Sequence, residues 1–363
     1  TGLVFLTKVS EKFPEIPIII MTAYSDLDTA VAAFQKGAFE YIAKPFDIDK
    51  SIEVIKKALV KANANKTTPS DDQRFAPEII GQSSSMQTVF RMIGKLSKSE
   101  DNVLITGETG TGKALVAQSL HNNSQRKDQP FIKINTATIP KGLIEETLFG
   151  METHASTDTQ GGMKGSIDEA HGGTLFLDEI GDMPMEIQIR LLTILSDGQF
   201  YRVGGKKPVA INIRIIAATN QNLNTLVAKQ LFRDDLFYRL NAISIMIPPL
   251  RERPDDIPLL TQFLLKNSAQ SLKMEAKVMS EEVLNYLITL NWSGNVLQLE
   301  NVCHWLTLMT SGATITIDDL PLDLKDQSNN VAPHGNQEDW RIGLHRNIDL
   351  EITNCNHQVY DTI

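Results

Sequence analysis

One short segment constrains the fold more than any other. Gly107-Glu108-Thr109-Gly110-Thr111-Gly112-Lys113 follows the apolar run Val103–Thr106 and opens a helical pattern beginning near Ala114. Glycines between a strand and a helix let the backbone wrap closely, so that several N–H groups face one spot at a helix N-terminus whose dipole favours negative charge. The lysine ammonium adds a compact positive charge. Together they form a phosphate cradle, the P-loop, and the strand–loop–helix context it requires is met. The general pattern has Ser or Thr after the lysine as a magnesium ligand. Ala114 has no side-chain oxygen, so magnesium would rely on other ligands or on water.

A second motif agrees with the first. The apolar run Thr174–Leu177 ends in Asp178-Glu179, about 65 residues after Lys113. In a nucleoside triphosphatase, the first carboxylate at such a strand end holds Mg2+ through its waters and the second polarises the attacking water. ATP and Mg2+ are the ligands this pair of motifs predicts. Apolar runs at Val103–Thr106, Phe131–Asn135, Thr174–Leu177, Ile213–Ala217 and Ala242–Ile247 alternate with helical stretches. That pattern predicts a parallel sheet covered on both faces. After Pro248-Pro249 the strands stop. Helical periodicity over Asp256–Gln270, Ser280–Leu290 and Asn295–Met309 predicts a small all-helical subdomain.

The beginning of the chain reads β-α-β-α: the strand Ile18–Met21, a helical pattern of Leu27, Ala30, Val31 and Phe34, then Tyr41-Ile42, then a helix with Ile52, Ile55 and Leu59. Two strands do not close a doubly wound sheet, so Thr1 is expected to lie inside a domain whose beginning precedes this chain. Ala62–Phe75 is polar and reads as a linker. The stretch from Lys325 to Ile363 shows neither period and is expected to be disordered.

Composition narrows the partners. With 35 basic against 44 acidic residues and a net charge of −9, no stretch suggests a phosphate-backbone footprint. Cys303 and Cys355 are far apart without CxxC spacing, which fits a reducing cytoplasm. No apolar run is long enough to span a membrane.

Gly107–Lys113, Gly172–Pro184, Gly198–Gly205, Phe232–Asn241 and Pro248–Arg253 resemble the central domain of bacterial sigma-54-dependent enhancer-binding activators, of the nitrogen-regulation response-regulator (NtrC) type. The resemblance covers about residues 1–323 and implies an α/β P-loop AAA+ ATPase, with a three-layer parallel sheet and a helical lid, preceded by a partial doubly wound receiver. It implies that Asn135 couples nucleotide state to Glu179, that Thr219-Asn220 is sensor I, and that Arg233 and Arg239 are arginine fingers reaching the neighbouring subunit of a ring. Thr22, Tyr41 and Lys44 are similar to the switch threonine, switch aromatic and phosphate-contacting lysine of receivers. A sensor kinase is then a partner, although the acceptor Asp would precede Thr1. The sigma-54 RNA polymerase holoenzyme and enhancer DNA are the family's further partners. No helix pair after Lys325 supplies a DNA reader.

The boundaries implied are 1–61 for the receiver half, 62–76 for the linker, 77–248 for the α/β subdomain, 249–324 for the lid and 325–363 for the tail. The chain departs from the family at mechanistic positions. His154–Thr159 stands in place of the loop Gly-Ala-Phe-Thr-Gly-Ala that contacts sigma-54, Leu297 in place of the sensor II arginine, and Ala114 and Thr147 in place of glutamates. The leading reading is an ATP-hydrolysing sigma-54-dependent regulator of a two-component system. The alternative is a truncated or degenerate member that binds nucleotide and oligomerises without remodelling polymerase.

Overall fold

The computed structural model describes residues 2–13, 16–23, 26–44, 46, 51, 52, 54, 55, 58, 79–152 and 163–325. The chain divides into two units, Thr1–Leu264 with Asn291–Asn301, and Leu265–Leu290 with Val302–Ile363.

The first unit begins with a helix, Gly2–Lys12, that the sequence reading did not anticipate. Its apolar residues Val4 and Phe5 are exposed, so they do not form the single buried stripe by which an amphipathic helix is recognised. The strands β1 (Ile19–Thr22) and β2 (Glu40–Ala43) follow and pair in parallel, Ile19 opposite Glu40 and Thr22 opposite Ala43. Between them the helix Leu27–Gln35 starts at Asp26, whose Oδ1 accepts the Thr29 N–H at 2.7 Å. Its apolar stripe packs on the helix Ser84–Leu96, with the Phe34 ring against Gly94 and Lys95 Nζ 2.7 Å from Glu40 Oε2. Ser51, Ile52, Val54, Ile55 and Ala58 are helical, and Leu59 lies outside the described residues.

The main sheet contains β3 (Val103–Thr106), β4 (Phe131–Asn135), β5 (Thr174–Asp178), β8 (Arg214–Thr219) and β9 (Ile243–Met246), in the order β4-β5-β8-β3-β9 and parallel throughout. Each strand has the expected position; β3 and β4 have the expected ends, and the ends of β5, β8 and β9 shift by at most two residues. Alternate side chains enter two cores, because successive residues of a strand face opposite ways. Val103, Ile105, Phe176, Ile216 and Ala218 pack with the helices Ser84–Leu96 and Lys113–Asn122 on one face. Leu104, Leu175, Leu177, Ile215 and Ala217 pack on the other with the helices Met185–Asp197 and Asp234–Leu240. Continuous apolar strands were therefore the correct sign of a sheet buried on both sides. A small antiparallel hairpin, β6 (Gln199–Tyr201) with β7 (Pro208–Ala210), lies beside this sheet and carries the Gly198–Gly205 motif.

The second unit is built around buried Met279, Val283, Leu287, Leu290, Cys303, Leu306 and Ile315. It corrects the all-helical expectation. The strands β10 (Val278–Met279) and β11 (Thr314–Ile315) pair in parallel, and two residues each are too short to show an alternation in sequence. The helix Glu281–Thr289 is capped by Ser280, whose Oγ accepts the Val283 N–H. The Tyr286 hydroxyl donates to the Leu324 carbonyl at 2.5 Å. Among the described residues, no helix is long and apolar enough to cross a membrane. The Ala62–Phe75 linker, the His154–Thr159 loop and the tail beyond Lys325 lie outside the described residues.

Candidate functional site

Because all five strands are parallel, their C-terminal ends share one edge of the sheet, where open α/β folds gather their chemistry. Pairing fixes what meets there. Thr106 is opposite Thr219, Leu177 opposite Ala217 and Asn135 opposite Asp178. β8 lies between β3 and β5, so Asn220 emerges between Gly107–Lys113 and Asp178-Glu179.

Gly110 and Gly112 have φ of 78° and 101°, a region costly for any residue with a Cβ. Gly112 directly precedes the helix Lys113–Asn122. Lys113 is nearly buried, and its Nζ donates to the carbonyls of Gly107 (2.9 Å) and Glu108 (3.3 Å) while lying 3.6 Å from Glu179 Oε1. The Thr111 hydroxyl donates back to the Glu108 carbonyl at 2.8 Å. The ammonium is thus held over the mouth of the loop.

Glu179 adopts the left-handed conformation, φ 53° and ψ 48°. For a non-glycine residue this is a strained state, of a kind concentrated at functional sites. What holds it is visible: the buried Thr136 hydroxyl donates to the Glu179 carbonyl at 2.6 Å, and the Asn220 N–H donates to Glu179 Oε2 at 3.2 Å. The Asn220 amide also reaches the loop, Nδ2 donating to Thr109 Oγ1 at 2.9 Å. Asn220 therefore bridges both motifs. Asp178 ends β5 with no side-chain hydrogen bond among the described residues, which suits a carboxylate that takes waters of a cation. Those residues include no cluster of three or more His, Cys, Asp or Glu that could hold a metal by itself. The one carboxylate at the strand end, Asp178, beside the loop would suit a magnesium ion whose other ligands are phosphate and water.

Asn135 stands apart from Glu179 in side-chain bonding. Its Oδ1 accepts the Ala137 N–H at 3.0 Å. Arg233 is held by Asp235 of its own helix through two bonds of 3.0 and 2.7 Å, whereas Arg239 is exposed. The Thr147 hydroxyl donates to the Leu143 carbonyl. Ala114 packs against the apolar core, and the Leu297 N–H donates to the Gly110 carbonyl at 3.3 Å.

Sequence reasoning missed the side chains on the far side of the loop. Arg251 clasps Glu108 with bonds of 2.8 and 2.5 Å, and with Asn295 as a second donor the Glu108 carboxyl is held down to about 2. Arg253 is buried and donates to the Thr111 carbonyl at 3.1 Å. Both arginines lie in Pro248–Arg253, a segment quoted for its likeness but given no chemical role, and Asn295 lies two residues before Leu297, where only the departure at Leu297 was read. The signal available was a charge pair at long separation, which a single sequence does not reveal.

In the N-terminal segment, Thr22 and Lys44 come together at the ends of β1 and β2, the Lys44 N–H donating to the Thr22 carbonyl at 2.7 Å. Lys44 is exposed and Tyr41 buried, and burial, aided by Asp26, pushes the phenol up to about 12.

Comparison with known proteins agrees with this architecture. The profile of the family described as "Sigma-54 interaction domain" matches residues 79–246, that of the "AAA+ ATPase lid domain" residues 251–337, and that of the "Response regulator receiver domain" residues 1–56. The chain is 49% identical over 342 residues to the DNA-binding transcriptional regulator NtrC of Salmonella typhimurium, spanning 93% of this chain and 73% of that one. It is 51% identical over 325 residues to the regulator of the same name from Escherichia coli K12, spanning 89% and 69%. Among solved structures, NtrX from Brucella abortus in complex with ATP superposes with a TM-score of 0.65 at 33% identity, covering 94% of this chain and 75% of that one. The same protein in complex with ADP gives 0.65 at 32%.

Proposed function

From the premise that this chain belongs to the NtrC-type, sigma-54-dependent regulators of two-component systems, we propose that its sheet edge binds ATP and hydrolyses it to drive remodelling of the sigma-54 RNA polymerase holoenzyme. The observation carrying the proposal is the continuous chain Thr109–Asn220–Glu179–Lys113, in which two hydrogen bonds and an ion pair tie the phosphate loop to the acidic strand end.

In this reading the N–H groups of Gly107–Ala114, at the start of the helix Lys113–Asn122, face the phosphates, and Lys113 neutralises their charge. Asp178 would hold Mg2+ through water, and the ion would supply charge neutralisation along the phosphates. Glu179 accepts a hydrogen bond from the attacking water and aligns it, and its strained backbone fixes the direction in which the carboxylate points. Asn220 reports the occupancy of the loop to Glu179. Asn135 serves the same coupling by changing partner from the Ala137 N–H. Arg233 and Arg239 are assigned as fingers acting on a neighbouring subunit of a ring, where an arginine stabilises the charge of transfer. Thr22, Tyr41 and Lys44 are assigned as receiver switch residues answering a sensor kinase. The domain limits 1–61, 77–248 and 249–324 go with this assignment.

The test is turnover of ATP with Mg2+ by the purified chain, together with open-complex formation at a sigma-54 promoter. Absence of turnover in the unmutated chain overturns the ATPase assignment. Turnover without open complexes, with His154–Thr159 in the contact loop, gives the alternative of a nucleotide-binding member uncoupled from polymerase.

A further inference from the structure

We propose that Asn295 is a positioning residue for the phosphate loop, one that orients the loop's N–H groups from the side opposite the ligand. Asn295 is fully buried, and the residue has φ 52°. Asparagine is among the few side-chain-bearing residues that tolerate that region. Its amide makes three hydrogen bonds to the loop and the turn. Nδ2 donates to Glu108 Oε2 at 3.1 Å and to the Thr109 carbonyl at 3.0 Å, and Oδ1 accepts the Leu250 N–H at 2.7 Å. Three segments distant in sequence therefore meet at one side chain.

The consequence follows from the planarity of the peptide. Across a trans peptide the C=O and the next residue's N–H point in opposite directions. Fixing the Thr109 carbonyl on Asn295 turns the Gly110 N–H the other way, into the cradle. Arg253 does the same for Gly112 by taking the Thr111 carbonyl, and Leu297 takes the Gly110 carbonyl. Glu108 closes the belt, because Arg251 grips both of its carboxylate oxygens and shares Oε2 with Asn295. The glycine at 110 is needed by the same contact, since a Cβ there would overlap the Gly294 carbonyl oxygen. The loop is thus shaped by residues 250–253 and 294–297 rather than by its own glycines alone.

This inference rests on the nucleotide reading of Gly107–Lys113, and the experiment separates the two. ATP affinity is measured by calorimetry on the full chain for Lys113→Ala, Asn295→Asp, Glu108→Ala and the double variant Asn295→Asp with Glu108→Gln. Asn295→Asp keeps the size and the acceptor for Leu250 but sets a carboxylate against Glu108 and the Thr109 carbonyl. Its ATP affinity is expected to fall about tenfold or more. The double variant restores a donor between the two side chains and recovers part of the loss, which a general weakening of the fold would not. Parent-like affinity in Asn295→Asp overturns the proposal. Should that variant fail to fold, Glu108→Ala decides at a side chain 42% exposed: a several-fold loss supports the belt, and an unchanged affinity overturns it. Parent-like binding by Lys113→Ala overturns the nucleotide reading itself.

Discussion

At the scale of single residues, the site separates groups held in place from groups left free. Glu179 is held: its backbone is strained and both carboxylate oxygens have partners. Replacing it by Gln keeps the size and the acceptor oxygen but removes the charge to which the proposed function assigns the alignment of water. Glu179→Gln is expected to lower turnover by about a hundredfold or more while ATP binding persists, and steady-state hydrolysis beside calorimetric titration checks both halves. Arg239 is exposed, with no ion pair among the described residues, and Arg233 is paired with Asp235, so Arg239→Ala is expected to give the purer loss of turnover, on the scale of about a thousandfold for a finger. Arg233→Ala also strips Asp235 of its partner, and a lowered melting temperature should accompany its loss of activity. The Glu108 carboxyl, held down to about 2 chiefly by Arg251, gives a signed expectation. A depressed acid contributes its pairing above its ordinary range and loses it only as pH falls through the folded value. The effect of Glu108→Gln on ATP affinity should therefore be constant from about pH 6 to about pH 8. A slope in that window would assign the dependence to another group.

At the scale of elements, the contact between the helices Leu27–Gln35 and Ser84–Leu96 turns on one missing methyl group. Gly94 lies in a helix, where glycine costs about 1 kcal/mol relative to alanine. By propensity alone Gly94→Ala would stabilise. Yet a Cβ at Gly94 would overlap the Phe34 ring, and Phe34 belongs to a core shared by both helices. Overpacking of this kind costs about 1–3 kcal/mol, which exceeds the propensity gain. Gly94→Ala is expected to melt below the parent, and adding Phe34→Ala should remove the steric part of the effect, so that the two changes are non-additive in a double-mutant cycle. If Gly94→Ala instead raises the melting temperature, the two helices are not packed face to face through this glycine.

At the scale of the whole molecule, what could be read in advance followed from range. Buried parallel strands and the two acidic or glycine-bearing strand ends are local patterns, and they were legible to within a residue or two: Val103–Thr106, Phe131–Asn135 and Asn295–Met309 have the observed ends. The pairs Val278-Met279 and Thr314-Ile315 are too short for a period, and the partners Glu108–Arg251 and Thr136–Glu179 depend on which strand lies beside which. Order in the sheet is a long-range property that no window of sequence contains. The proposed arginine fingers extend the same problem beyond one chain, since a finger acting in trans belongs to an assembly. Mixing experiments read that directly. Glu179→Gln and Arg239→Ala are each expected to be inactive alone, but at an equal mixture some sites combine an intact Glu179 with the neighbouring subunit's intact Arg239. Random assortment in a head-to-tail ring makes that about a quarter of all interfaces, so turnover should reappear toward that fraction of the unmutated rate. A finger acting within its own subunit predicts no recovery at any ratio, because every subunit would then lack one of the two groups.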